Sequence, residues 1–200
     1  MLFRSGAISD YTKAIELDPK DSDAYYNRGY SKSELKDHYG AISDYTKAIE
    51  LDPKDSDAYF GRGYSKSELK DHYGAISDYT KAIEIDPKYA DAYYNRGNTK
   101  DELKDYYGAI SDYTKAIEID PKDADTYFGR GYSKGQLKDH YGAISDYTKA
   151  IEIDPKYADV YRNRGISKEL IEDMKGACAD WRKASDLGVE DAANWVRDQC

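Results

Sequence analysis

Cysteine and tryptophan occur twice each in 200 residues, phenylalanine and histidine three times each, and proline five times. Two thiols are too few for a disulfide-built scaffold, and no Cys/His spacing of the zinc-binding kind surrounds them. The three histidines, His38, His72 and His140, hold one and the same place in three copies of a repeat, read as the turn between two helices. They therefore stand too far apart to share a metal ion with bonds of about 2 Å. Aspartates such as Asp18, Asp21 and Asp23 lack the glycine turn and closing glutamate of a calcium loop, and helix capping explains them better. There is no Gly-rich phosphate loop and no nucleophile motif. Neither catalysis nor a cofactor nor a metal is expected. No run approaches the roughly 20 apolar residues of a membrane span, so no membrane insertion is expected either. Positive charge is also short: 30 basic side chains face 39 acidic ones, for a net charge of −9. That balance argues against a nucleic-acid partner and favours basic or apolar proteins and peptides.

What the chain does contain is repetition. GAISDYTKAIE recurs from Gly6, Gly40, Gly74, Gly108 and Gly142, each copy 34 residues after the last, with a degenerate copy, GACADWRKASD, from Gly176. A fixed period of this length marks stacked supersecondary units rather than one globular core. In the unit 22–55, Ala41, Ile42, Tyr45, Ala48 and Ile49 fall on one helical face. Asp37 suits an N-cap, and Asp52-Pro53 ends the run. A first helix spans Asp23 to about Leu35, and Lys36-Asp37 turns the chain between the two. No segment alternates with period two, so no strands are expected.

These residues resemble the tetratricopeptide repeat: Tyr25, Arg28-Gly29, Lys32, Ala41, Tyr45 and Pro53 stand at the family's signature places, and the pattern returns through Tyr59 to Pro87, Tyr93 to Pro121 and Tyr127 to Pro155. The last unit keeps Tyr161, Gly165, Ala177 and Trp181 but has Val189 in place of proline. The resemblance implies an all-α fold, a right-handed α-α superhelix of antiparallel hairpins. Its expected organisation is a truncated half-repeat (1–21), five units (22–55, 56–89, 90–123, 124–157, 158–191) and a C-terminal capping helix (192–200). Superimposed is a longer alternation of YYNRG (Tyr25, Tyr93) with YFGRG (Tyr59, Tyr127).

Two departures from the family pattern stand out. Arginine replaces the usual leucine at Arg28, Arg62, Arg96, Arg130 and Arg164, and an aspartate follows 16 residues on at Asp44, Asp78, Asp112, Asp146 and Asp180. Each pair is expected to form a partly buried salt bridge between the helices of a hairpin. A ladder of arginines reading acidic ligands is the other reading.

In the family the first helices line a concave groove that holds a peptide or helix. By resemblance, the wall here comprises Tyr26, Tyr30, Phe60, Tyr64, Tyr94, Asn98, Phe128 and Tyr132, with Asp23, Asp57, Asp91 and Asp125 along the rim beside Glu34, Glu68 and Glu102. Packing between first helices is the alternative role for these rings. A clamp for a chaperone's terminal carboxylate is disfavoured, because its cations are missing except for Arg162. Near the C-terminus, Trp195 is expected to cover the last hairpin. Cys178 and Cys200 lie where an antiparallel hairpin permits a disulfide, with two reduced buried thiols as the alternative. At the other end, Met1 to Ser5 replaces an inter-helix turn, and Gly6 opens a second helix without a first, as if the array were truncated.

The expected function is a non-catalytic protein–protein interaction scaffold with an aromatic, acid-rimmed groove. The regulatory or docking arm of an enzyme encoded upstream, and an array self-associating through its N-terminal face, are the alternatives. Cytoplasmic and periplasmic or secreted locations both remain open.

Overall fold

The computed structural model describes residues 2–200, with side chains from Gly6 onward. Among the described residues there are twelve α-helices and no strand: α1 (Leu2–Leu17), α2 (Ser22–Glu34), α3 (His38–Leu51), α4 (Ser56–Glu68), α5 (His72–Ile85), α6 (Ala90–Glu102), α7 (Tyr106–Ile119), α8 (Ala124–Gln136), α9 (His140–Ile153), α10 (Ala158–Glu169), α11 (Met174–Asp186) and α12 (Glu190–Gln199). They divide into two compact units, up to Thr99 and from Lys100, the division falling inside α6. The first unit packs α1 on α2, α2 on α3, α3 on α4 and α4 on α5; the second packs α7 on α8, α8 on α9, α9 on α10, α10 on α11 and α11 on α12.

Capping marks where each second helix begins. Asp37, Asp71, Asp105, Asp139 and Asp173 accept a hydrogen bond from the amide of Gly40, Gly74, Gly108, Gly142 and Gly176, at 2.9–3.0 Å. This satisfies one of the orphan donors of the first turn. The residue before each cap sits in the left-handed region: Lys36, Lys70, Lys104, Lys138 and Glu172 have φ between 62° and 66°. Glycine usually takes that place at a helix C-terminus, and here only the last turn has one, Gly188 at φ 99°. First helices are capped less uniformly. Asp21, Asp55 and Asp123 accept from amides at the starts of α2, α4 and α8. Tyr157 stands at the cap of α10 and makes no side-chain cap bond.

Two expectations are corrected. α1 runs from Leu2 without a break at Gly6: no aspartate cap stands before Gly6, and Leu-Phe-Arg-Ser supplies no breaker, so the helix continues N-terminally. His38, His72 and His140 are the first residues of α3, α5 and α9 rather than turn residues, because the cap is the aspartate before them.

The cores are narrow, built of alanine with one large ring per hairpin. Tyr45, Tyr79, Tyr113 and Tyr147 are almost wholly buried, as is Trp181 in the last hairpin. Ala48, Ile49 and Ala58 pack with Tyr25, Tyr26 and Tyr59 in the first unit. In the second, Tyr161, Ala177, Trp181, Ala184 and Ala192 form a cluster closed by Trp195, whose ring lies 5.3 Å from that of Trp181. Cys178 and Cys200 are joined by a disulfide, which ties the end of α12 to the first half of α11.

The YYNRG/YFGRG alternation sets glycine against two of these rings. A Cβ on Gly61 would stand 2.6 Å from the Tyr45 ring and one on Gly129 2.8 Å from the Tyr113 ring. With the rings where they are, a side chain at either place would force the ring to shift. Asn95 and Asn163 occupy the same place in the intervening units.

Candidate functional site

Each hairpin is crossed by one polar cluster. The Arg28 guanidinium donates two hydrogen bonds to Asp44, Nε to Oδ2 at 2.9 Å and Nη2 to Oδ1 at 2.7 Å. Arg62–Asp78, Arg130–Asp146 and Arg164–Asp180 repeat the fork within 0.1 Å. The carboxylates are the buried members, with side chains only 4–5% exposed against 15–17% for these arginines. A second cation completes each cluster: Lys32, Lys66, Lys134 and Lys168 lie 2.7–2.8 Å from the same aspartates, and Lys100 lies 2.8 Å from Asp112. The remaining arginine nitrogen reaches back one repeat. Nη1 of Arg28, Arg62, Arg96, Arg130 and Arg164 donates to the hydroxyl of Thr12, Thr46, Thr80, Thr114 and Thr148, at 2.9–3.2 Å. The guanidiniums also lie over the rings of Tyr25, Tyr59, Tyr93, Tyr127 and Tyr161, 5.5–5.7 Å from their centroids. Every group is engaged within the protein. A cleft of about 460 Å³ opens beside Arg28 and Asp44, but its other charges, Lys47 and Glu50, are 3.0 Å apart and pair with each other.

The aromatic residues of the first helices divide into two rows. Tyr26, Phe60 and Phe128 are half-buried, their rings 5.7–5.9 Å from the buried Tyr45, Tyr79 and Tyr147. Tyr30, Tyr64 and Tyr132 are 54%, 42% and 41% exposed. In the first unit both rows meet in a cleft of about 130 Å³, where Tyr26, Tyr30, Tyr45, Phe60 and Tyr64 are joined by Ser33, Glu34, Gly61 and Tyr89. Burial, then the nearby Asp57 and Asp55, pushes the Tyr26 phenol up to about 12. In the second unit a cleft of about 200 Å³ has Tyr132 and Tyr147 with Gln136, His140, Asn163, Ile166 and Leu170 on its walls. Of the other candidates, Tyr94 and Asn98 are half-buried, and Asp91 and Asp125 are exposed.

Models of the tetratricopeptide repeat match residues 22–55, 90–123 and 124–157, and related models of the repeat match 5–35, 67–100 and 44–76. The chain belongs to the tetratricopeptide repeat family. No curated protein matches it in sequence. Among solved structures, YrrB, described as a TPR protein with an unusual peptide-binding site, is 26% identical over 94% of this chain and 97% of its own, with a TM-score of 0.81. A crystal structure of MamA is 26% identical over 82% of this chain and 96% of its own, at TM-score 0.77. MamA from Desulfovibrio magneticus RS-1, at 19% identity and TM-score 0.78 over 83% of this chain and 94% of its own, shares the fold. Tetratricopeptide arrays are in general non-catalytic interaction modules, and this chain has the fold of a protein-interaction scaffold. Among the described residues, no helix is long and apolar enough to cross a membrane.

Three features of this array are absent from the sequence reading. Tyr89, at the place where other units carry a capping aspartate, lays its ring 5.0 Å from Phe60 and donates its hydroxyl to Asp57 Oδ1 at 2.7 Å. Tyr157 likewise packs on Phe128, at 5.3 Å. The signal was there, as a KYAD joint replacing KDSD, but a ring reaching into the preceding repeat is a property of the stack. Second, Tyr39, Tyr73, Tyr107 and Tyr141, at the second position of their helices, are 74–78% exposed. Third, His38 Nδ1 and His140 Nδ1 are buried without a hydrogen-bond partner, and the His38 ring lies edge-on to Tyr64 at 6.4 Å.

Proposed function

We propose that this chain is a non-catalytic scaffold that holds an extended peptide or a helix of a partner protein against the first helices of its hairpins. The wall comprises Tyr26, Tyr30, Phe60, Tyr64, Tyr94 and Asn98 in one unit and Phe128 and Tyr132 in the other, with Asp57, Asp91 and Asp125 at the rim. One observation carries the reading: Tyr30, Tyr64 and Tyr132 keep large rings 41–54% exposed on the walls of clefts, whereas the more exposed Tyr39, Tyr73, Tyr107 and Tyr141 of the second helices line neither cleft. Rings with a polar tip are what interface hot spots favour. YrrB, similar to this chain over nearly its whole length, has a peptide-binding site of its own. The Arg–Asp–Lys clusters are structural in this proposal, because their charges are spent on one another.

A random peptide library displayed against the chain tests this. Selected peptides are expected to lose binding to a Tyr30→Ala, Tyr64→Ala, Tyr132→Ala variant of equal melting temperature. They are expected to keep it for Tyr39→Ala, Tyr73→Ala, Tyr141→Ala. The reverse pattern would move the binding surface to the starts of the second helices and overturn the assignment.

A further inference from the structure

Two clefts occupy the same place in the repeat, three periods apart, and their chemistry differs. In the first, six aromatic rings (Tyr26, Tyr30, Tyr45, Phe60, Tyr64 and Tyr89) surround a space of about 130 Å³, and Glu34 is the charged residue among its described walls. In the second, Gln136 stands where Glu34 does, Ile166 where Tyr64 does and Asn163 where Gly61 does. The counterpart of Phe60 is Arg162, which lies 3.5 Å from Asp159 and is not among the described walls of the second cleft.

We infer that the first cleft is a cation site that takes the guanidinium of an arginine side chain from the bound peptide. The inference deepens the proposed function and rests on it. Aromatic faces carry negative electrostatic potential and attract a cation held over them, and caged cations are a recurring use of such clusters. Here the rings are tilted, Tyr26 on Tyr45 by 51° and Phe60 on Tyr89 by 30°, rather than stacked face to face. Carboxylates add to the field. Glu68 and Glu34, after burial, push the Tyr64 phenol up, and Asp57 and Asp55 do the same at Tyr26. At about 130 Å³ the space is below the 300 Å³ or more of a small-molecule pocket and suits one side-chain head group. Arginine is favoured over lysine because its flat, weakly hydrated guanidinium stacks on ring faces. This protein makes that contact itself, with Arg28 over Tyr25 at 5.6 Å.

The test uses two probe peptides, acetyl-Ala-Arg-Ala-amide and its citrulline analogue, the same shape without the charge, titrated into the full chain and followed by amide shifts in NMR. The arginine peptide is expected to move the amides of Ser33, Gly61 and Tyr64 saturably and to bind about tenfold tighter than the citrulline peptide, which corresponds to about 1.4 kcal/mol. Glu34→Gln and Tyr64→Ile, each copying the residue at the equivalent place of the second cleft, should each weaken it several-fold. Tyr64→Ile leaves net charge untouched, so that loss cannot come from bulk attraction to an acidic protein, and melting curves show whether both variants fold. Equal shifts from both peptides would overturn the cation site while leaving the peptide groove standing. No shift at these amides from either peptide, or arginine binding indifferent to both variants, would also overturn it. Whether the groove reading then survives is decided separately, by the displayed peptides and the tyrosine-to-alanine variants.

Discussion

The Arg–Asp–Lys cluster makes an asymmetric prediction about its members. Asp78 is the hub: its side chain is 4% exposed and it faces both Arg62 and Lys66 at 2.7 Å. Asp78→Asn keeps the shape but leaves two cations side by side with no anion between them. Removing one partner of a buried pair costs about 3–5 kcal/mol. The cations retain 16% and 22% exposure, which gives them partial access to water and puts the cost near the lower bound, at about 3 kcal/mol. Arg62→Leu is a different perturbation. Asp78 keeps Lys66, so no charge is orphaned, and the loss is the fork, the bond to Thr46 at 3.1 Å and the stacking on Tyr59. That amounts to about 1–2 kcal/mol, the more so because a leucine there packs as it does elsewhere in the family. Repeat arrays unfold with nearest-neighbour rather than all-or-none cooperativity. The assay is therefore urea unfolding combined with hydrogen exchange on the amides of α4 and α5. Asp78→Asn within about 1 kcal/mol of the parent, or Arg62→Leu costing as much as Asp78→Asn, would refute the hub and with it the structural role assigned to the ladder.

Gly61→Ala places a Cβ 2.6 Å from the Tyr45 ring and is expected to cost about 1–3 kcal/mol in urea unfolding, whereas Gly135→Ala, whose nearest neighbour would be 4.0 Å away, should stabilise slightly. Reduction of Cys178–Cys200, which closes a loop of 22 residues, should lower stability by about 3 kcal/mol in the chain-entropy model. The loss should appear first as faster exchange in α12 and altered fluorescence of Trp195; unchanged exchange would mean that the helix docks without its staple. Burial pushes the Asp101 carboxyl above its ordinary 3.8, against the opposing hydrogen bonds from Ser133 and Tyr113. The folded chain thus retains a proton that the unfolded chain has released, so this contribution to stability is present below 3.8 and lost as pH rises through the higher folded value. The stability difference between Asp101→Asn and the parent should therefore move in the variant's favour from about pH 4 to pH 7 in urea unfolding, and a pH-independent difference would contradict this.

The hairpins were legible because Ala41, Tyr45 and Ala48 keep helical spacing in every copy and an aspartate precedes each second helix. The Arg28–Asp44 register was legible for the same reason: a separation of 16 repeated without exception ties the two positions to one hairpin. Lys32 was not, since a lysine in the last turn of a polar helix looks like any solvated residue. Thr12 was hidden in another way, because its partner Arg28 belongs to the next repeat, and a spacing within one unit says nothing about the neighbour. Tyr89 falls outside the repeat's signature places, and its ring meets Phe60 only across the stack. The YYNRG/YFGRG alternation was visible from the start, yet the contact it brings, a Tyr45 ring close against Gly61, lies between repeats.

Copying one unit along a chain produces equivalent surfaces, so anything particular that the array does must lie where the copies differ. The polar clusters do not differ: arginine, aspartate and lysine recur at Arg28, Asp44 and Lys32 and at every equivalent place through Arg164, Asp180 and Lys168. The first-helix surface does differ. One position reads Tyr26, Phe60, Tyr94, Phe128, Arg162 and the next Tyr30, Tyr64, Asn98, Tyr132, Ile166. Invariance follows the groups whose partners are all internal, where any change orphans a charge. Variation follows the side chains that face a cleft, where a change alters what fits and leaves the stack intact. The step from Glu34 and Tyr64 to Gln136 and Ile166 takes a carboxylate and a ring out of the cleft wall, so the same place in the repeat need not take the same ligand.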